Sequence, residues 1–224
     1  AGGGIRLSGG YEAFRHVVDK LGVPVVTYWN SIDVIEDAHP LYVGRGGNMG
    51  DRPGNFAVQN ADLLLAIGTR ISIRQTGYSF TTWAREAKVI MVDIDRAEMK
   101  KHTIHVEVPV WADAKDFLET MNECLEKEVK PVFPGEDWRT ICQKWKQKYP
   151  ATLPRHWEER SGCANVFAFI RHLSESLPEN SLTAVSNGAC CVVGHQNYVI
   201  KKGTRFIINS AIASMGYGLP AAIG

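Results

Sequence analysis

The chain has 224 residues, 45% of them hydrophobic and 22% charged, with 25 Lys and Arg against 24 Asp and Glu. That composition supports a sizeable core and excludes a disordered or fibrous chain. The balanced charge excludes a general polyanion-binding surface, and apolar runs such as LLLAI at 63–67 are too short to span a bilayer. Neither a nucleic-acid nor a membrane partner is expected. Cysteines at 124, 142, 163, 190 and 191 are odd in number and lack metal-like spacing, which reads as a reducing, cytoplasmic setting.

In chain order, Ser8 is placed to cap a helix running to about Leu21, with Phe14, Val17, Val18 and Leu21 on one side and Gly22 as its stop. VPVVTYW at 23–29 reads as a short buried strand, and VGRGGNMGDRPG at 43–54 as a glycine-rich loop. A helical segment at 55–60 leads to the strand ADLLLAIG, the loop TRISIRQTGY and the strand KVIMVD at 88–93. A helical turn DRAEMK, a short strand IHVEV at 104–108 and a helix from Asp113 to about Lys127 follow. Strands that are apolar throughout and alternate with helices predict a parallel sheet covered on both faces. The initial Gly-Gly-Gly suits the bend just after a strand that precedes residue 1.

Prolines at 131, 134, 150 and 154 mark a linker. Between them WRTICQKWKQKY predicts one helix, with Trp138, Ile141, Trp145 and Tyr149 facing a domain surface. A second α/β unit begins near Ser161: a helix from Asn165 to Leu177, then LTAVSNGA and FIINSAIASMG, each a strand running into a glycine-bearing turn and a helix start. Turns at the carboxyl ends of parallel strands are where such sheets hold ligands. The chain opens on AGGGIRLSGG and closes on ASMGYGLPAAIG within a helix-like stretch, so it reads as part of a larger protein.

Local motifs leave the chemistry open. GRGGNMG follows no clear strand at dinucleotide spacing, and neither a P-loop nor G-x-S-x-G occurs. Arg70 and Arg74, just past the LLLAI strand, suit phosphate or carboxylate binding, with salt-bridged loop arginines as the plain alternative. Asp93 and Asp95 end the next strand, where an acid accepts from a ribose or caps the following turn; capping is the plainer role for Asp95. His39, His102, His105, His156, His172 and His195 share no metal spacing, and the neighbouring Cys190 and Cys191 point in different directions in either regular structure.

INSAIASMGYGLPAAIG at 208–224 resembles the SGG-x-G-T-M-G-x-G-L-P-A-A-I-G signature of the thiamine-diphosphate enzymes related to acetolactate synthase and pyruvate decarboxylase. LGVPVVTYWN, NFAVQNADLLLAIGTRISIRQTG and AKVIMVDIDRAEMKK resemble the central domain of the acetolactate-synthase-like members. The resemblance implies a doubly wound parallel-sheet central domain, a Rossmann variant of the DHS type, at 1–127. It implies a linker with a helix at 128–160 and the opening, incomplete part of the thiamine-diphosphate-binding α/β domain at 161–224. The activating glutamate is expected in a domain before residue 1 and the Mg²⁺ ligands after residue 224, so neither a catalytic residue nor a metal ligand is expected within the chain.

The resemblance places Met215 beneath the folded cofactor, Ala213 against its aminopyrimidine, and Ser214 and Gly216 beside them. Gly188, Ala189, Cys190 and Cys191 match the turn that meets the diphosphate, although the family's Gln-His pair is replaced by the two cysteines. His195 and Gln196 are displaced from that pair and are not equated with it. Some relatives hold FAD in the central domain and others hold no nucleotide; Arg70, Arg74, Asp93 and Asp95 are the residues placed to serve it. The implied activity is that of a carboligase or decarboxylase of a 2-keto acid, as a homo-oligomer, with the isolated 224 residues inactive. A related oxidase or lyase, or a non-catalytic nucleotide-binding module, is the alternative.

Overall fold

A computed structural model describes residues 1–127, 136–158 and 162–224. After the short helix α1 (Gly4–Leu7), α2 (Tyr11–Leu21) buries Phe14, Val17 and Val18 and stops at Gly22, whose φ of 65° is the left-handed end a helix favours. β1 (Val25–Thr27) and β2 (Tyr42–Arg45) pair in parallel. Asp51 then caps α3 (Arg52–Gln59), accepting from the Gly54 amide at 2.7 Å. β3 (Leu63–Ile67), the short helix α4 (Ile73–Thr76), β4 (Lys88–Asp93) and β5 (Val108–Trp111) follow, the strands forming a parallel sheet in the order β3-β4-β5. Asp113 caps α5 (Ala114–Glu126) through the Lys115 amide.

Residues 1 and 2 lie between the two sheets. The Ala1 nitrogen donates to Val26 O at 2.8 Å and the Gly2 amide to Ile67 O at 3.0 Å, so β1 and β3 flank one extended stretch of chain. Neighbouring strand residues enter opposite cores: Ile67 and Val92 pack with Phe14, Val18 and Leu118 of α2 and α5, whereas Ala66 and Met91 pack with Val58 of α3. Both faces of the sheet are therefore covered, which is why its strands are apolar at consecutive positions.

α6 (Glu136–Lys148) lies against α3 and β2. α7 (Val166–Ser176), β6 (Leu182–Val185), α8 (Ala189–Asn197), β7 (Arg205–Ile208) and α9 (Gly218–Ile223) complete the chain, with β6 and β7 parallel in register. Among the described residues, no helix is long and apolar enough to cross a membrane.

Several expectations are corrected. Ser8 does not cap α2: its hydroxyl donates to Ile5 O and accepts from the Gly10 amide, closing α1, and α2 starts after Gly10 without a side-chain cap. The glycine-rich run is not all loop. It begins as β2 and ends as α3, so GRGGNMG starts within the last two residues of a strand; three side chains, of Tyr42, Val43 and Arg45, with one glycine suffice once β1 supplies the ladder. TRISIRQTGY contains α4, whose start is held by Gln75 Oε1 accepting from the Ser72 amide at 2.7 Å. The strand expected at 104–108 lies at Val108–Trp111 instead, because the ladder to β4 starts at Val108; Pro109 is tolerated on the outer strand of the sheet. On α6 the buried position is Cys142, while Ile141 is 40% exposed. The prolines at 131 and 134 and the unit boundary near Ser161 lie outside the described residues.

Candidate functional site

β6 and β7 end side by side, and each releases the chain into a glycine-bearing turn. After β6, Gly188 takes φ 91° and ψ −144°, a conformation that suits glycine alone, and opens α8 without a side-chain cap. A Cβ on Gly188 would meet nothing within 4 Å, so the turn faces open space. The first amides of α8 point N-terminally, as at any helix start. Cys190 folds back, its thiol donating to Ser186 O at 3.1 Å. Cys191 turns the other way into the protein, where burial pushes its thiol pKa up.

After β7, Ala213 holds φ 56°, uncommon for a residue with a Cβ. Ser214 Oγ lies 3.3 Å from Asn209 Nδ2, which spans the base of the turn. Gly216 has φ 82°, and Met215 stands 90% exposed at the tip. Gly218 brings the two turns together: a Cβ there would lie 2.8 Å from the Ser186 nitrogen, so only glycine allows α9 this close to the end of β6. Gly188 to Cys191 and Ala213 to Gly216 thus occupy adjoining turns on one sheet edge.

A polar seam joins this unit to the segment after β1. The buried carboxylate of Asp33 accepts from Arg205 Nε at 2.8 Å and the Phe206 amide at 3.2 Å, and Arg6 Nε lies 3.3 Å away. Arg45 donates to Tyr198 O at 2.6 Å and to Asp37 at 3.2 Å. The rings of Trp29 and His195 are 4.6 Å apart. His195 sits in the last turn of α8, away from the Gly188 turn, and burial, with the charge of Arg45 adding to it, pushes its pKa down to about 3.

The four residues considered for FAD are strung along the carboxyl edge of the sheet and do not form one cluster. Arg70 pairs with Glu98 at 2.6 Å, and Lys101 also holds Glu98 at 2.9 Å; although burial raises the Glu98 carboxyl, these two cations outweigh it and keep it below the usual range. Asp93 accepts from the Asp95 amide at 2.9 Å and Asp95 from the Ala97 amide at 2.8 Å, so both acids cap the turn after β4. Arg74 instead lies over the Trp29 ring, 5.5 Å from its centroid. Between these places, Gly4 and Gly68 press backbone to backbone: a Cβ on Gly68 would sit 2.8 Å from Gly4 Cα. Among the described residues, no group of three His, Cys, Asp or Glu side chains could hold a metal ion.

The family model described as "Thiamine pyrophosphate enzyme, central domain" matches residues 1–121. The chain belongs to the thiamine pyrophosphate enzymes. It is acetolactate-synthase-like among them. It is 30% identical over 224 residues to the "Acetolactate synthase large subunit" of Corynebacterium glutamicum, covering 100% of this chain and 35% of that protein. It is 33% identical over 227 residues to the "Probable acetolactate synthase 2, chloroplastic" of Oryza sativa subsp. japonica, covering 100% and 33%. The "Acetolactate synthase isozyme 2 large subunit" of Escherichia coli is 28% identical over 225 residues, covering 100% and 38%. The chain therefore spans about a third of the length of these curated relatives.

In this thiamine pyrophosphate enzyme chain, sequence reasoning missed Trp29, Asn30, Asp33 and Arg45. Their partners lie far along the sequence: Asp33 and Arg205 are separated by 172 positions. No periodicity reports such a pairing. The only local signal was an acid among apolar neighbours in SIDVIE, which a solvated loop explains equally well.

Proposed function

We propose that the full-length protein containing these 224 residues is a thiamine-diphosphate-dependent, acetolactate-synthase-like carboligase or decarboxylase of a 2-keto acid, acting as a homo-oligomer. In this reading residues 1–127 form the central domain, 128–160 the connecting segment, and 161–224 the first part of the thiamine-diphosphate-binding domain. The observation that carries it is the contact of Gly218 with Ser186, which sets the two signature-bearing turns side by side at the ends of β6 and β7.

The residues present fit the cofactor. The turn at Gly188 is open, and the uncapped start of the nine-residue α8 offers amides for diphosphate oxygens. Cys190, held back by Ser186 O, leaves that approach to backbone donors. The left-handed Ala213 and the exposed Met215 present an apolar prop for the ring end, with Ser214 and Gly216 forming the rest of the turn. When bound, thiamine diphosphate supplies the electron sink for decarboxylation of the keto acid. The chain's share is orientation and the exclusion of water on one side; the Mg²⁺ ligands and the activating acid are assigned outside these residues.

The test is a panel of 2-keto acids offered to the full-length protein with thiamine diphosphate and Mg²⁺, products resolved. Carbon dioxide release or carbon–carbon bond formation that needs the cofactor is expected; failure to bind thiamine diphosphate would falsify the reading and favour a non-catalytic module. FAD in the central domain is a second reading, resting on Arg70, Arg74, Asp93 and Asp95 along the carboxyl edge of the sheet, with the close-packed Gly4 and Gly68 among them. A flavin absorption band in the purified full-length protein supports it, and its absence at saturating FAD ends it.

A further inference from the structure

The segment following β1 belongs by sequence to the first sheet, yet its side chains serve the second unit. Trp29 stacks on His195 of α8 at 4.6 Å, and Asn30 accepts from the Ser210 hydroxyl in the turn after β7. Ile32 is 1% exposed and packs in a core made otherwise by Ile170, Val193, Tyr198, Ile200 and Phe206. Asp33, 4% exposed, grips the beginning of β7.

β7 needs that grip. Among the described residues it has a ladder with β6 alone. Its Arg205 amide donates toward β6, to Ser181 O, so the Phe206 amide points to the opposite side, where no strand lies among the described residues. The Asp33 carboxylate receives it at 3.2 Å and takes Arg205 Nε at 2.8 Å with the same oxygen. Its other oxygen faces Arg6 Nε at 3.3 Å, from α1 of the first unit. One carboxylate therefore stands between two guanidinium groups of different units. Without its charge the arginines would repel across the seam, and at best one neutral oxygen would remain to accept from both Arg205 and the Phe206 amide.

We propose that Asp33 is a positioning residue for thiamine diphosphate: through Arg205 and the Phe206 amide it sets where β7 ends, and hence where the Ala213–Gly216 turn meets the cofactor. This rests on the functional reading above. Asp33 touches no cofactor itself. It acts on a turn that already carries a left-handed Ala213, a backbone state that persists only when its surroundings hold it.

The experiment uses Asp33→Asn in the full-length protein, with two readouts. Without cofactor, hydrogen exchange at amides 205–217 is expected to quicken about tenfold while β4 amides 88–93 keep the wild-type rate. With Mg²⁺ and varied thiamine diphosphate, half-saturation is expected to need about tenfold more cofactor, with kcat at saturation within about twofold. Unchanged exchange at 205–217, equal quickening in both segments, or an unchanged cofactor requirement overturns the proposal. A wild-type protein that binds no thiamine diphosphate overturns the functional reading and this role with it, and that result is visible before any variant is made. If Asp33→Asn does not fold, Arg205→Gln leaves the Arg6 pair in place and is expected to shift both readouts the same way by a smaller factor; no shift in either counts against the proposal.

Discussion

Arg45, the last residue of β2, donates to the carbonyl of Tyr198 at 2.6 Å across 153 positions of sequence. It is only 2% exposed, and its second partner is Asp37 at 3.2 Å. Removing the guanidinium takes the donor from a buried carbonyl and one of the cations from Asp37. Arg45→Met is expected to lower the unfolding free energy by about 3–5 kcal/mol, read from urea denaturation. Arg45→Lys keeps the charge but not the fork of donors, and recovers less than half of the loss. Wild-type stability in Arg45→Met would show that this seam holds nothing.

His195 gives the protein an acid-sensitive term. Burial takes its pKa from 6.5 unfolded to about 3 folded. A depressed histidine contributes stability that is complete above the unfolded pKa and is lost as pH falls toward the folded one. Between pH 6.5 and 5 the loss amounts to roughly 2 kcal/mol. Asp51 works in the opposite sense, because burial raises its carboxyl to about 6 and the folded form takes up the proton first. Comparing His195→Gln with wild type cancels Asp51: the variant's stability is expected to fall less steeply below pH 6.5. Parallel stability–pH curves for the two proteins would contradict the assignment.

Gly218 tests the meeting of the two turns. A methyl there would press on the Ser186 backbone nitrogen at 2.8 Å, and backbone cannot step aside as a side chain can. Gly218→Ala is expected to lower the unfolding free energy by about 1–3 kcal/mol, read from urea denaturation. Leu219→Ala, at a position 73% exposed, is the control and changes stability by less than about 0.5 kcal/mol. Equal effects in the two variants would remove the close approach as the cause.

Thiol labelling separates the cysteines. Cys124 and Cys163 are exposed, Cys190 is intermediate, and Cys142 and Cys191 are buried. Burial raises the Cys142 thiol to about 11, which leaves little thiolate at neutral pH. A disulfide reagent under native conditions is expected to label Cys124 and Cys163 first, Cys190 more slowly, and Cys142 only on unfolding. Rapid native labelling of Cys142 would show that α6 does not stay packed on α3 and β2.

The strands were legible where their residues are apolar without interruption: LLLAI and KVIMVD became β3 and β4 over the expected residues. Helix starts at short polar residues were legible too: the helices expected from Asp113 and Asn165 begin there, although the capping role of the two side chains was not read. Ser8 misled because one helix ends on it just before the next begins: its hydroxyl closes α1, and α2 starts past Gly10. β2 was hidden because Gly44 has low strand preference and a run of glycines follows it; the ladder to β1 and burial of Tyr42 and Val43 override that. Of the site, both turns could be located from their glycines. That they touch could not, since the contact of Gly218 with Ser186 depends on how β6 and β7 pair.

The length, balanced charge and apolar strand runs determined by themselves that this is an α/β chain with a parallel sheet, and the order of its motifs pointed to the thiamine pyrophosphate enzymes. Those are properties of near neighbours in sequence, where periodicity and glycine placement carry the information. Tertiary structure decided which charges are buried and whom they meet. Asp33 and Arg45 look like ordinary loop charges in the sequence; packing β7, Tyr198 and α8 against them removes water, and only then do their partners become necessary.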